Sequence, residues 1–289
     1  MPVAIVSDTT HYMPRELVTE RDIHEVSLYV RFEGKQVREA EIMRDTDAFY
    51  NALRTSTEAV TTSQPSIGDF LGVWEPLLRD GQDIVSIHIA SGISGTYQSA
   101  LQAKERLVAD GLDDTRLAVV DSQRGCGGLG MVLLAACAAS EDGSSIEDVT
   151  ERVRAAIGNL QMWFAVDTLE YLRRGGRIGA AQAWLGSALK VKPILTLKHE
   201  ITPIERVRTS GRAFERMVDF LRTLHDSGCD GWVAQHIQAT DVAERLVERG
   251  REIFGSEPLF VSEIGPVIGA HVGPGLLGVG GVPSRLLEP

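Results

Sequence analysis

A short segment rich in serine and glycine, Ser91 to Gly95, carries residue types that could bind an anion. It follows an apolar run, Asp83 to Ala90, and leads into a segment rich in helix-forming residues that ends near Asp110. The pattern predicts a strand, a tight turn and a helix, with free backbone amides and the positive end of the helix dipole converging at the turn. Such a turn is suited to binding a phosphate or a carboxylate.

The same segment contains a candidate nucleophile, Ser94, so a serine hydrolase is an alternative function. The nucleophile motif of many hydrolases is G-x-S-x-G, whereas this chain reads G-I-S-G-T from Gly92, with the second glycine displaced by one position. His88, His236 or His271 could act as the base, but the sequence does not show which of them lies near Ser94. The displaced glycine disfavours covalent catalysis and leaves it as an alternative.

Residue spacing also bears on whether the chain has a dinucleotide site or a metal site. The segment Gly125 to Gly130 matches the dinucleotide motif G-x-G-x-x-G, but it follows a later strand rather than the first one. The acidic residues about 20 positions further on, Glu147 and Asp148, fall in the first turn of a predicted helix. These glycines are therefore interpreted as a turn or a close backbone approach. The seven histidines show no paired spacing of metal ligands, so no metal site is predicted.

The third candidate is a pocket that binds an anion without covalent chemistry. Its parts are the hydroxyls of Thr62 and Ser94, the backbone amide at Gly95 and the imidazole of His271. His271 lies in Ile268 to Gly275, a segment with too many glycines for an ordinary strand and too few polar residues for a solvated loop. Each part alone also has a structural interpretation, as a cap, a turn or a buried histidine, and residue propensities do not bring the parts together.

The elements that must position these residues divide into two parts. Strand and helix signals alternate up to about Gly158, which is typical of an α/β domain with a parallel or mixed sheet. Within it, the polar cluster Thr61 to Ser66 contains a proline placed to open the next helix. After Gly158 the pattern changes and indicates an α+β domain. Residues 1–158 and 159–289 are therefore predicted to form separate domains.

Composition excludes several function classes. The 289 residues carry a formal net charge of −11, which disfavours broad binding to nucleic acid or to anionic membranes. No signal peptide is recognised, and the longest apolar run, Met131 to Ala139, is too short for a transmembrane helix, although transient membrane contact is compatible with the sequence. The three cysteines form neither a C-x-x-C pair nor a disulfide framework. A cytoplasmic location is expected.

A set of segments, in order along nearly the whole chain, resembles motifs of the DegV family. The segments are Ser7 to Thr10, Thr62 to Ser66, Ser91 to Ala100, Asp121-Ser122, Leu169 to Ile178, Lys192 to Leu195 and Gly265 to Gly275. That family includes the fatty-acid-binding subunits of bacterial fatty acid kinase. The resemblance implies two α/β domains holding one long-chain fatty acid between them. A separate kinase would phosphorylate its carboxylate to an acyl-phosphate that feeds phospholipid synthesis.

The resemblance also implies roles for individual residues. Those expected to contact the carboxylate are Thr62, Ser94, Gly95 through its amide, and His271. Arg177 and Arg208 are expected near the mouth, facing the kinase and the phosphate. The protein would be a non-catalytic carrier with no cofactor besides its fatty acid, and no set of residues able to bind ATP is recognised. A serine hydrolase using Ser94 and a regulatory lipid sensor without a kinase partner remain alternatives.

Overall fold

The structure is a computed structural model that describes residues 3–32, 34–43, 45–55, 60–185 and 191–289. Its strands are β1 (Ala4–Asp8), β2 (His24–Val26), β3 (Tyr29–Phe32), β4 (Lys35–Arg38), β5 (Thr61–Ser63), β6 (Ile84–His88), β7 (Leu117–Asp121), β8 (Gln161–Ala165), β9 (Lys192–Lys198), β10 (Glu200–Val207), β11 (Gly231–His236), β12 (Phe260–Glu263) and β13 (Leu277–Val282). Its α-helices are α1 (Arg15–Glu20), α2 (Glu39–Ile42), α3 (Thr46–Thr55), α4 (Ile67–Arg79), α5 (Thr96–Ala109), α6 (Gly127–Glu141), α7 (Ile146–Asn159), α8 (Glu170–Arg174), α9 (Ser210–Asp226), α10 (Thr240–Phe254) and α11 (Pro266–Val272).

Strands β1, β2, β6 and β7 form a parallel sheet in the order β2-β1-β6-β7, here called the N-terminal sheet. Both of its faces are buried: Val6 and Ile84 pack with α4 and α5, whereas Ile5 and Ile87 pack with α6 and α7. Burial on both faces explains why these strands read as apolar runs rather than as alternating patterns. The turn at Ser91 to Gly95 follows β6 and therefore lies at the carboxyl edge of this sheet.

Strands from the second half form another sheet, in the order β10-β9-β8-β13-β11-β12, here called the C-terminal sheet. Neighbouring strands are antiparallel except β11 and β12, which are parallel. One face packs against α9 and α10 through a cluster that includes Leu221, Trp232 and Leu246. The opposite face is turned toward α6 and a cavity, and it carries Met162 and Phe164 of β8.

Strands β3, β4 and β5 form a small antiparallel sheet in the order β4-β3-β5, here called the small sheet. It carries Thr62, which pairs with Val30. The prediction that the polar cluster opens a helix is confirmed, because Ser66 caps α4 in a reciprocal capping box with Asp69. The strand Thr61–Ser63 itself was not predicted, since it is fixed by pairing with β3, about 30 positions earlier, and not by its own residues.

The predicted fold class, α/β in two parts, agrees with this architecture. Strands of the N-terminal sheet all precede residue 122, and those of the C-terminal sheet all follow residue 160. The division into two domains at Gly158 stays a prediction. In the structure, α7 continues through that position to Asn159. The glycine-rich segment around His271 lies largely in a helix, α11, a conformation that the sequence analysis did not predict. Among the described helices, none combines the length and the apolar character needed to span a bilayer.

Candidate ligand-binding site

A cavity lies between the C-terminal sheet, the start of α6 and helix α11. It encloses about 1030 Å³ of space not occupied by atoms, part of which is open to solvent. Apolar side chains provide most of the lining, among them Phe164, Leu197 and Leu276. Thr62, Ser94 and His271, along with Gly95 and Arg177, also line it. These five residues are called the polar end below.

Two glycines of β13, Gly278 and Gly280, lie on the face of the sheet that lines the cavity. A Cβ atom added at Gly278 would meet Phe164 Cβ at 3.5 Å, an ordinary van der Waals contact. A side chain larger than that of alanine would therefore extend into the cavity. The absence of a side chain at Gly278 is one reason why the space exists.

The glycine-rich segment Gly125 to Gly128 also lines the cavity. A Cβ at Gly127 would lie 2.8 Å from Val233 Cγ2, and one at Gly128 would lie 2.9 Å from Met162 Sδ. The Gly127 amide donates a hydrogen bond to the side-chain oxygen of Gln235. These glycines allow close packing of α6 against the sheet, as the interpretation against a dinucleotide site predicts.

The imidazole of His271 is held from two sides. Its Nε2 lies 2.7 Å from the Thr62 hydroxyl, so the small sheet and α11 meet at this hydrogen bond. Its Nδ1 lies against Gly175, where even a Cβ atom would collide with the ring. Glycine at position 175 is therefore required for the observed position of the histidine. Thr62 and His271 are 209 residues apart in the chain, so only the tertiary structure brings them together.

The predicted strand, turn and helix around Ser94 are present, with Gly95 in the N-cap position of α5. The Ser94 hydroxyl lies 2.9 Å from that of Thr96 and accepts a weaker hydrogen bond, at 3.3 Å, from the Thr96 amide. A Cβ at Gly95 would lie 3.1 Å from the carboxamide of Gln64, close to Thr62 of β5. Glycine therefore lets the turn approach the segment that carries Thr62.

Arg177 joins the turn at Ser94 to the segment around Gly175. Its Nε donates to the Ile93 carbonyl oxygen at 3.2 Å, and its Nη1 donates to the Gly175 carbonyl oxygen at 2.7 Å. The positive charge of Arg177 also lowers the pKa of His271. The structure thus brings five of the six predicted site residues to one end of the cavity.

The sixth predicted residue, Arg208, does not join them. It is exposed, follows the last residue of β10 and does not line the cavity. Its expected position near the mouth, facing the kinase and the phosphate, stays a prediction.

Burial, and secondarily the positive charge of Arg177, lowers the pKa of His271 to about 4. The imidazole is therefore neutral at pH 7. In the unfolded chain the pKa of His271 is about 6.5. Between pH 4 and pH 6.5 the unfolded state therefore binds a proton that the folded state does not. The stability that the neutral His271 contributes is therefore fully present above about pH 6.5 and is lost as the pH falls toward 4.

We expect this histidine to make unfolding pH-dependent. Between pH 7 and pH 4 the free energy of unfolding of the wild-type protein should fall by about 3 kcal/mol more than that of His271→Asn. Urea unfolding at several pH values measures the difference. Parallel pH profiles for the two proteins would show that His271 titrates normally in the folded state.

The three histidines considered as bases for Ser94 are all engaged elsewhere. His271 bonds to Thr62, and His236 Nδ1 accepts a hydrogen bond from the Ala239 amide at 3.4 Å. His88 lies in the core of the N-terminal sheet, 2.8 Å from the Ser86 hydroxyl and 3.2 Å from Asp8 Oδ2.

Ser86, His88 and Asp8 have the order of bonds found in a catalytic triad, but all three are fully buried. The Ser86 hydroxyl also accepts a hydrogen bond from the indole of Trp74. This buried network is a structural feature that the sequence analysis missed, because its members lie on two strands of one sheet. None of these contacts places a histidine base on Ser94, so the geometry does not favour the hydrolase alternative.

The arrangement defines a class of site. A largely apolar cavity that is lined at one end by hydroxyls, a neutral imidazole and one arginine is suited to an amphiphile with an apolar tail and an anionic head. Within the described ranges, no group of three or more histidine, cysteine, aspartate or glutamate side chains is placed to hold a metal ion.

A sequence model of the DegV family, described as a family of uncharacterised proteins, matches residues 2–284, and this chain therefore belongs to the DegV family. A DegV domain-containing protein of Streptomyces coelicolor is 37% identical over 280 residues, which cover 96% of this chain and 97% of the relative.

Two solved structures have the same fold. DegV from Bacillus subtilis, a fatty acid binding protein, superposes with a TM-score of 0.84 at 35% identity, covering 97% of this chain and 98% of that chain. A DegV family protein from Thermus thermophilus, studied for fatty acid binding, gives a TM-score of 0.83 at 31% identity, covering 98% and 100%. The predicted family and fold class are thereby confirmed, and fatty acid binding is described for other members of the family.

Proposed function

We propose that this protein binds a long-chain fatty acid, with the acyl chain in the apolar cavity and the carboxylate at the polar end. The observation that carries the proposal is the cavity itself, which is apolar along the C-terminal sheet and polar where Thr62 meets His271. Fatty acid binding by the relatives from Bacillus subtilis and Thermus thermophilus supports the same assignment.

The tail supplies most of the affinity in this proposal. Each buried methylene contributes about 0.8 kcal/mol, so a chain of about fourteen contributes roughly 11 kcal/mol before the costs of association and ordering. Because this contribution has no directional preference, it does not fix which end of the ligand faces the polar residues. The polar end supplies that orientation.

The carboxylate requires several hydrogen bonds, since a buried anion without them would take up a proton. The hydroxyls of Thr62 and Ser94 and the backbone at Gly95 can supply donors without placing a full charge inside the cavity. His271 is neutral at pH 7 and so contributes a hydrogen-bonding nitrogen rather than a cation. Arg177 adds the one positive charge of the polar end, beside the turn at Ile93.

The purified protein is expected to carry a long-chain fatty acid. Organic extraction followed by mass spectrometry identifies any acyl chain, and uptake of a labelled fatty acid by delipidated protein measures binding directly. A protein that yields no acyl chain and takes up none from solution would contradict the proposal. A covalent fluorophosphonate adduct on Ser94 would instead support the hydrolase alternative.

The finer part of the proposal is that the protein presents the carboxylate to a separate kinase and itself acts as a carrier. Arg177 donates to two backbone carbonyl oxygens, which hold its guanidinium at the polar end, where its positive charge can stabilise the developing acyl-phosphate. A regulatory lipid sensor would use the same cavity without the kinase.

Replacing Arg177 by alanine separates these roles. Arg177→Ala should change fatty acid affinity by no more than a few-fold, while the rate of acyl-phosphate formation with a kinase from the same organism should fall on the order of tenfold or more. Arg106→Ala is the matched control, because that arginine is exposed, bonds to Asp110 and does not line the cavity. Equal rates for wild type and Arg177→Ala would leave the arginine with a structural role only.

A further inference from the structure

Glu39, the first residue of α2, is a carboxylate with no exposed surface, and it does not line the cavity. Three groups donate hydrogen bonds to it: the Thr9 hydroxyl, the Tyr12 hydroxyl at 2.7 Å and the Val267 amide at 2.8 Å. A carboxylate is an acceptor only, so this set of donors matches its charged form. Burial raises the pKa of Glu39, and these three hydrogen bonds oppose that effect.

The Val267 amide belongs to the first turn of α11, the helix that carries His271. The next amide, that of Ile268, donates to the Tyr12 hydroxyl at 3.2 Å, and Tyr12 in turn donates to Glu39. The first amides of a helix have no partner within the helix, so a buried helix start needs acceptors of this kind. Glu39 and Tyr12 together supply them.

Glu39 is also tied to the segment that enters the small sheet. Its amide donates to the carbonyl oxygen of Leu28, directly before β3, at 2.9 Å. Strand β3 pairs with β5 through Val30 and Thr62. Glu39 therefore links α11, which its carboxylate contacts, to the small sheet with Thr62, which its backbone amide contacts through Leu28.

The segment at the end of β1 connects the same group to the turn at Ser94. Thr9 bonds to Glu39, and its neighbour Asp8 accepts a hydrogen bond from the Ile89 amide at 2.9 Å, at the end of β6. The motif Ser7 to Thr10, to which the fatty acid site assigns no contact, thus supports both sides of the polar end.

We propose that Glu39 is a positioning residue for the polar end: its buried carboxylate fixes the start of α11 against the small sheet and so sets the contact between Thr62 and His271. This inference rests on the proposed fatty acid function only for its consequence for affinity. The position of His271 is a property of the protein without ligand.

Two disruptive and two conservative variants test the proposal. Glu39→Leu removes the acceptor of three hydrogen bonds, and Tyr12→Phe removes only the hydroxyl shared by Glu39 and the Ile268 amide. Glu39→Gln keeps an acceptor for Val267 and Tyr12 and can donate to Thr9, so it is expected to restore the arrangement. Tyr29→Phe is the matched control, because it removes a hydroxyl that bonds to Asp69 and not to α11.

The first measurement is the NMR spectrum of the His271 imidazole nitrogens in protein without fatty acid. Glu39→Leu and Tyr12→Phe should shift these resonances and move the His271 pKa toward its ordinary value, whereas Glu39→Gln and Tyr29→Phe should leave them as in wild type. The second measurement is the dissociation constant of a labelled long-chain fatty acid. It should rise on the order of a hundredfold for Glu39→Leu and about tenfold for Tyr12→Phe, because a smaller fraction of molecules has the competent site.

The outcomes separate the two proposals. Unchanged His271 resonances in folded Tyr12→Phe would overturn the positioning role, even if Glu39→Leu does not fold. Weaker binding in Tyr12→Phe without a change at His271 would also overturn it, since the effect would then not pass through α11. Shifted resonances in a wild-type protein that takes up no fatty acid would support the positioning role and contradict the fatty acid function.

Discussion

Replacing Gly278 by leucine is expected to raise the dissociation constant for a long-chain fatty acid by about a hundredfold while the protein remains folded. The added side chain would extend from β13 into the cavity and exclude about four methylene groups of the ligand, which together contribute roughly 3 kcal/mol. Pairing with β8 and β11 on both sides holds the backbone of this strand in place. Titration with fatty acids of different length measures the effect.

Gly278→Ala is the matched control for this substitution. Its Cβ would lie 3.5 Å or more from neighbouring atoms, so near-normal folding and affinity are expected. The leucine variant should discriminate against long acyl chains more than against short ones. Wild-type affinity of folded Gly278→Leu for long-chain fatty acids would show that the acyl chain does not occupy this cavity.

The double variant Ser94→Ala with His271→Ala is also expected to weaken fatty acid binding strongly. A hydrogen bond to a charged group contributes about 1.5–3 kcal/mol, so loss of two should raise the dissociation constant roughly a hundredfold or more. The tail would still enter the cavity, and residual binding should therefore depend less on the carboxylate. Comparing a fatty acid with its methyl ester by isothermal titration calorimetry measures that dependence.

A nearby serine provides the control for the double variant. The Ser91 hydroxyl bonds to Asp121 at 2.6 Å and does not line the cavity, so Ser91→Ala should retain wild-type affinity. The two single variants complete a cycle that measures the coupling between Ser94 and His271. Unchanged affinity in a folded double variant would remove both residues from the carboxylate site.

Local features of the site could be predicted from the sequence. The apolar run before Ser91 and the helix-forming residues after it specify a strand and a helix by their own preferences, and the structure contains both as β6 and α5. The capping box at Ser66 is likewise a short-range pattern. In such cases the partners lie within a few residues, so no knowledge of the tertiary structure is needed.

Features that depend on distant partners could not be predicted in this way. The strand at Thr61–Ser63 exists through pairing with β3, and α11 depends on Glu39, Tyr12 and Tyr50 from the first part of the chain. Tyr50 donates to the backbone just before α11, and its ring packs where Gly269 has no side chain. Helix preferences alone disfavour a glycine-containing segment of this length.

Individual site residues show the same limit. The sequence identifies His271 as a candidate through its motif, but not its hydrogen bond to Thr62. The resemblance placed Arg208 with Arg177, and of the two only Arg177 lines the cavity. Glu39 gave no signal in the sequence, since a charged residue in the first turn of a short helix is ordinarily exposed.

The polar end is assembled from separate parts of the protein. Thr62 belongs to the small sheet, and Ser94 follows β6 of the N-terminal sheet. His271 precedes β13 of the C-terminal sheet. A molecule bound there acts as a non-covalent cross-link among three sheets. At a free ligand concentration of 100 times the dissociation constant, it would add about 2.7 kcal/mol to the free energy of unfolding. That gain would be shared by all three sheets, so ligand occupancy and cooperative unfolding of the whole chain are thermodynamically linked.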